Sequence, residues 1–132
     1  MDVEKTRDFP FPRARVYAAW VSSDTVIPPA TSMDIDAVVG GHYRLFVRDD
    51  QWDVYNEGRF LEVEENRHLR YTWEWNGDGK VTEIDVRFGD SPAGTRLTLV
   101  HSGFTERDTA DRHSAGWDAY FDGLAAHLAA GA

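Results

Sequence analysis

Residues 111–129, DRHSAGWDAYFDGLAAHLA, constrain the fold more than any other stretch, because they carry the one long run of unbroken helical periodicity. Trp117, Tyr120, Phe121, Leu124 and Leu128 recur at spacings of three and four, so they share one face, while Asp118 and Asp122 fall on another. About 20 residues at roughly 1.5 Å each make a rod of roughly 30 Å, long enough to cross a small domain. Its apolar stripe demands a partner surface. Gly116 and Gly123 interrupt the rod, each costing about 1 kcal/mol relative to alanine inside a helix. Their presence predicts close backbone approach or space left open beneath the helix.

The partner surface is supplied upstream, where the period changes to two. Met33, Ile35 and Ala37 alternate with Asp34 and Asp36 up to a turn at Gly40-Gly41, and Tyr43, Leu45 and Val47 alternate with Arg44, Phe46 and Arg48. A fourth strand is predicted over about residues 52–62, where adjacent Phe60 and Leu61, with Gly58 nearby, predict a bulge or bend. Leu69, Tyr71, Trp73 and Trp75 form the cleanest alternating set, and NGDG at 76–79 is a hairpin signal. Residues 81–88 follow with Thr82, Ile84, Val86 and Phe88 inward, then a turn over 89–94. The last strand, 95–101, puts Leu97, Leu99 and His101 on one face, and SGFTERDTAD reads as a loop into the long helix. At the N-terminus an edge strand over 2–9, anchored by Val3 and Phe9, stops at Pro10 and Pro12. ARVYAAWVS then gives a short helix, Ser22, Ser23 and Asp24 end it or cap a brief second one, and a loop covers about 27–32.

Length and charge bound the function. A chain of 132 residues is one domain, 1–132, able to bury about two-thirds of its unfolded surface. The net charge of −9, with no Lys/Arg cluster, argues against nucleic acid or an anionic membrane as partner. Having no cysteine excludes disulfides and thiolate metal sites. MDVEKTRDF has no apolar signal region and no run approaches a membrane span, which predicts a soluble cytoplasmic protein.

Among the five histidines, His101 and His113 stand where strand end and helix start converge. His113 with Asp111 or Glu57 would offer nitrogen and oxygen metal donors, but no HxH or HExxH spacing exists, so hydrogen-bonded or pocket-lining imidazoles are expected and no metal. Tyr55, Asn56, Glu57 and Arg59 flank the bend at Gly58 and could send a polar group, including a general acid or base, into a cavity; a solvated strand face is the plainer expectation. No nucleophile elbow, phosphate-cradling loop or dinucleotide fingerprint occurs, and no cofactor is implied. Trp52, Trp73, Trp75, Trp117, Tyr71 and Tyr120 form either core or pocket wall, and the two helix glycines favour a pocket.

The segments GGHYR, EGRFLEVEENRHLRYTWEW, GTRLTLVHSGF and HSAGWDAYFDGLAAHL, in this order and spacing, resemble the SRPBCC (START-like) superfamily. More narrowly, the chain is similar to the domain named for the C-terminal part of the heat-shock-protein-90 ATPase activator homologue. The resemblance implies an α+β helix-grip fold: an antiparallel curved sheet of six or seven strands around a long C-terminal helix, with two short N-terminal helices. Three functional readings follow, the first from the aromatic-rich faces and the paired helix glycines. The leading one is a non-enzymatic binding domain for a small hydrophobic or aromatic ligand in a cavity lined by Tyr43, Leu45, Trp73, Trp75, Ile84, Val86, Leu99, His101, His113, Trp117, Tyr120 and Leu124. Trp117 is expected at the boundary between core and pocket, part of its indole open. The second is a cyclase- or hydrolase-like enzyme using Glu57, Arg59, His101 or His113. The third is a stress-response accessory that stimulates a heat-shock chaperone ATPase through its acidic surface; a homodimer also stays open. Where relatives commonly carry a Trp-containing segment this chain has TVIPPATSMD, so that wall of the pocket is expected to be smaller or differently shaped. Full-length activators also carry a separate N-terminal domain that 132 residues do not contain, which sets the binding reading ahead of the chaperone one.

Overall fold

The computed structural model describes residues 1–131. Strands and helices follow in the order β1 (Val3–Phe9), α1 (Arg13–Trp20), β2 (Ser32–Ile35), β3 (His42–Arg48), β4 (Asp53–Glu64), β5 (His68–Trp75), β6 (Thr82–Ser91), β7 (Gly94–Ser102) and α2 (Arg107–Ala129). All the strands pair antiparallel in one sheet ordered β1-β7-β6-β5-β4-β3-β2. A meander thus runs from β2 to β7, and the N-terminal strand returns to cover the β7 edge, with Val3 opposite His101 and Phe9 opposite Thr95. The sheet wraps α2, giving the α+β helix-grip arrangement.

Curvature originates in β4. Its register against β5 shifts between Phe60 and Glu62, at the Phe60-Leu61 pair that breaks the alternation. At Gly58 an added Cβ would run into the backbone carbonyl of Thr72, so glycine lets the two strands close on each other. Thr72 Oγ1 accepts the Arg59 amide there at 2.9 Å, a side-chain bond in place of a ladder bond.

The inward set of each strand makes the core. Phe60, Leu69, Tyr71, Ile84, Val86, Leu97 and Leu99 are buried against Trp117, Phe121, Leu124 and Leu128 of α2. The short α1 adds Val16, Tyr17, Ala19 and Trp20. On its polar side α2 is aligned with β1 by Lys5–Asp118 at 2.9 Å and Arg7–Asp122 at 2.7 Å. These pairs are exposed and each contributes about 1 kcal/mol at most. Arg15 donates to the Leu128 carbonyl at 2.8 Å, a second donor to a last-turn acceptor that also takes the Gly131 amide at 3.1 Å.

Four expectations change. One short helix, not two, precedes β2, because serine hydroxyls hold the following segment in turns: Ser22 Oγ accepts the Asp24 amide at 3.1 Å and Ser23 Oγ accepts the Ile35 amide at 3.0 Å. The long helix begins at Arg107 rather than 111, since buried Phe104 anchors the chain just before it and Asp108 complements its N-terminal dipole. The β6–β7 ladder continues to Ser91 opposite Gly94, through residues expected to turn. Trp52, moreover, is 58% exposed and lies outside the aromatic cluster.

The two helix glycines now separate. A Cβ on Gly123 would collide with the buried, β-branched Ile27, whereas one on Gly116 would meet nothing within 4 Å. Gly123→Ala is therefore expected to destabilise by about 1–3 kcal/mol and Gly116→Ala to stabilise by about 0.5–1 kcal/mol. Urea unfolding of both variants beside the parent checks the opposite signs; equal signs would refute the assignment.

Candidate functional site

A cavity of about 300 Å³ opens between α2 and the β3–β5 side of the sheet. Tyr43 and Leu45 of β3 and Trp73 and Trp75 of β5 form its floor, and Ile27, Pro28, Pro29 and Ala30 close one side. The roof is helical: His113, Gly116, Trp117 and Tyr120 stand at i, i+3, i+4 and i+7 on one face of α2, with Arg112 and Ala119 beside them. Gly116 contributes space. Trp73, Trp75 and His113 also border a second, more polar depression of about 230 Å³ that reaches Asp78, Lys80 and Glu106.

The wall is built around indole N–H groups that must find acceptors away from water. Trp73 and Trp75 both donate to His113 Nε2, each at 3.2 Å. His113 Nδ1–H then donates to the Thr109 carbonyl at 2.9 Å, which fixes the neutral tautomer. Trp117 donates to His101 Nδ1 at 3.0 Å, and His101 Nε2–H meets Thr82 Oγ1 at 2.7 Å. The Thr82 hydroxyl passes its proton to the Trp73 carbonyl at 3.2 Å. Trp20, stacked on Trp117 at 5.9 Å, donates to the Tyr71 hydroxyl at 3.2 Å.

Both imidazoles are held neutral. Burial pushes the His101 pKa down to about 3, with His113 nearby adding to the effect. Burial also lowers His113, opposed by the bond to the Thr109 carbonyl and assisted by the Arg112 charge. Burial raises Tyr43, Tyr71 and Tyr120, so their hydroxyls stay protonated. The chemical character that results is apolar, aromatic and uncharged apart from Arg112.

Of the residues expected to line the site, Tyr43, Leu45, Trp73, Trp75, His113, Trp117 and Tyr120 border the cavity. Ile84, Val86, Leu99, His101 and Leu124 do not: each has no exposed surface and belongs to the packed interior. Trp117 borders the cavity but is only 5% exposed, so its indole is core in the main, not open to solvent. Glu57 and Arg59 face outward, Glu57 lying 3.7 Å from Arg44 and Arg59 donating to the Gly40 carbonyl at 3.0 Å. Neither reaches the cavity. Among the described residues no group of three or more His, Asp or Glu could hold a metal ion.

Ile27, Pro28, Pro29 and Ala30 line the cavity from within TVIPPATSMD, the segment expected to form one wall of the pocket, although none of the four was named as a lining residue. Arg112 and Ala119 are lining residues that sequence reasoning missed.

The family model for "Activator of Hsp90 ATPase homolog 1-like protein" matches residues 10–129, and the chain belongs to that family, within the helix-grip superfamily. Among solved structures, protein MLL2253 from Mesorhizobium loti is 23% identical with a TM-score of 0.84, covering 97% of this chain and 96% of its own. An AHSA1-like protein from Aeromonas hydrophila is 23% identical with a TM-score of 0.81, covering 99% and 94%. DynU16, from the dynemicin biosynthetic locus, is 20% identical with a TM-score of 0.84, over 98% of this chain and 48% of that one. At such identities the likeness is one of fold. No curated protein sequence matches the chain significantly. No helix among the described residues is long and apolar enough to cross a membrane.

Neutral buried imidazoles make stability depend on pH with a definite sign. Unfolded histidine takes up a proton below about pH 6.5, while native His101 resists protonation down to about 3. Their contribution is complete above about 6.5 and is lost on acidification, with a limiting slope of about 1.4 kcal/mol per pH unit for each group. Urea unfolding at steps between pH 7 and 4, with imidazole NMR to follow tautomers, should show falling stability while the His101 ring remains neutral; a His101 ring protonated near pH 6 in the folded protein would contradict it.

Proposed function

We propose that the chain is a binding domain for a small, mainly apolar or aromatic molecule held between the sheet and α2. The observation that carries this reading is an apolar space of about 300 Å³, walled by aromatic rings and roofed at Gly116. Such a volume is at the lower end of what small-molecule sites use. Saturated hydrogen bonding at His101 and His113 weighs against a cyclase- or hydrolase-like role, since neither ring has a nitrogen left for proton transfer.

The family description supports a second reading, stimulation of a heat-shock chaperone ATPase. It would use the acidic outer surface rather than the cavity. Adding the chain to an Hsp90-type chaperone and measuring ATP turnover separates the two.

A panel of planar aromatic compounds read by thermal shift tests the binding reading, together with native mass spectrometry of the purified protein. A compound present at about 100 Kd should add roughly 2.7 kcal/mol of stability. Gly116→Leu fills the cavity from the roof and should abolish that gain while the protein stays folded. A gain that survives Gly116→Leu, or no stabilising compound and no copurified species, would sink the assignment of the cavity.

A further inference from the structure

We propose that the cavity's ligand carries a planar group that both donates and accepts hydrogen bonds, of the carboxamide or lactam kind, and that Asn56 pairs with it. The inference rests on the binding reading above. Strand β4 sets Asn56 on the concave side, opposite Leu45 on one neighbouring strand and Trp75 on the other. Both of those neighbours line the cavity. Asn56 has no exposed surface, yet among the described residues neither Oδ1 nor Nδ2 has a hydrogen-bond partner. Whichever way the amide is turned, one donor group and one acceptor are left open.

The contrast with its surroundings gives this weight. Each buried or half-buried indole nearby is paired, as are both ring nitrogens of His101 and His113. A leucine would fill the Asn56 position without leaving polar atoms bare, so packing does not account for an amide there. The adjoining wall is polar in the same sense: Tyr43, diagonal to Asn56 across the β3–β4 pair, and Tyr120 both border the cavity, and neither hydroxyl has a partner among the described residues. Access runs past Trp75. It is half-buried and shares His113 Nε2 with Trp73, so its rotation leaves the imidazole still satisfied by Trp73. A flat ligand displacing Trp75 would bring its polar edge onto the amide.

Two probes of one shape decide it: 2-naphthamide and 2-methylnaphthalene, titrated by calorimetry and Trp fluorescence. The parent should prefer the amide by about tenfold or more. Asn56→Leu should erase that preference and leave 2-methylnaphthalene binding within about twofold of the parent. No preference in the parent, or a preference that survives in Asn56→Leu, overturns the inference and leaves Asn56 solvated by a buried water. If neither probe binds the parent, the cavity reading itself falls and this inference with it. Should Asn56→Leu not fold, the parent decides through the Asn56 side-chain NH₂ resonance. A shift with 2-naphthamide and not with 2-methylnaphthalene supports the pairing, and equal or absent shifts reject it.

Discussion

Four indole N–H groups placed away from water are the constraint on which the rest of the structure depends. Trp20 is satisfied by Tyr71, Trp117 by His101, and Trp73 and Trp75 together by His113. A donor buried without a partner costs about 1–3 kcal/mol, so these acceptors hold the aromatic wall in one arrangement. Each acceptor nitrogen must be unprotonated, which makes neutral imidazole a structural requirement. The backbone supplies the far ends of both relays, through the Thr109 carbonyl of α2 and, by way of Thr82, the Trp73 carbonyl of β5. Helix and sheet are thus tied by hydrogen bonds running through side chains whose rings also fill the interior.

That tie fixes where space can exist. Toward β6 and β7, Leu97, Leu99, Ile84 and Val86 have no exposed surface and share one packed cluster with the apolar face of α2. Toward β3–β5 the curvature generated at Gly58 and at the Phe60–Glu62 register shift carries the sheet around the helix. The helix is in turn held near the Ile27 loop by the close approach at Gly123, while Gly116, two turns earlier on the rod, leaves its side of the gap unfilled. The same residue type therefore serves opposite ends: one glycine lets a side chain in, the other keeps one out.

Most of the fold was legible because strand alternation and helix periodicity are face signals, and the faces were right. A period of two identifies the concave side but is silent about what stands opposite each inward residue. Ile84 and Tyr43 are both inward; one is closed within the packed core and the other borders the cavity. Trp117 was legible as part of the helix's sheet-facing stripe, but its 5% exposure depends on Trp20 stacking from α1, a partner nearly a hundred residues away in sequence that no local pattern reveals. The second N-terminal helix failed for a local reason, since Ser22 and Ser23 offer their hydroxyls to nearby amides as readily as they cap a helix. Trp52 failed because composition counts a tryptophan as core whether or not its strand has begun: it sits just before β4, where no neighbour covers it.

Charge distribution completes the picture of the cavity. The protein carries a formal charge of −9, yet among the described residues no carboxylate borders the space, and Arg112 is the one charged residue lining it. Acidic side chains instead decorate the outer faces, as at Asp118 and Asp122 on α2 and at Glu57 and Glu62 on the convex side of β4. Burial holds the cavity's own titratable groups neutral in both directions, depressing His113 and raising Tyr43 and Tyr120. An ionised ligand would exchange bulk water for an interior that offers few compensating charges, a loss that desolvation makes large. A neutral ligand with a polar edge loses far less and can recover it at fixed dipoles. On the binding reading, the interior would favour molecules whose polarity resides in hydrogen-bonding groups rather than in net charge, the same chemistry as the phenols that face it.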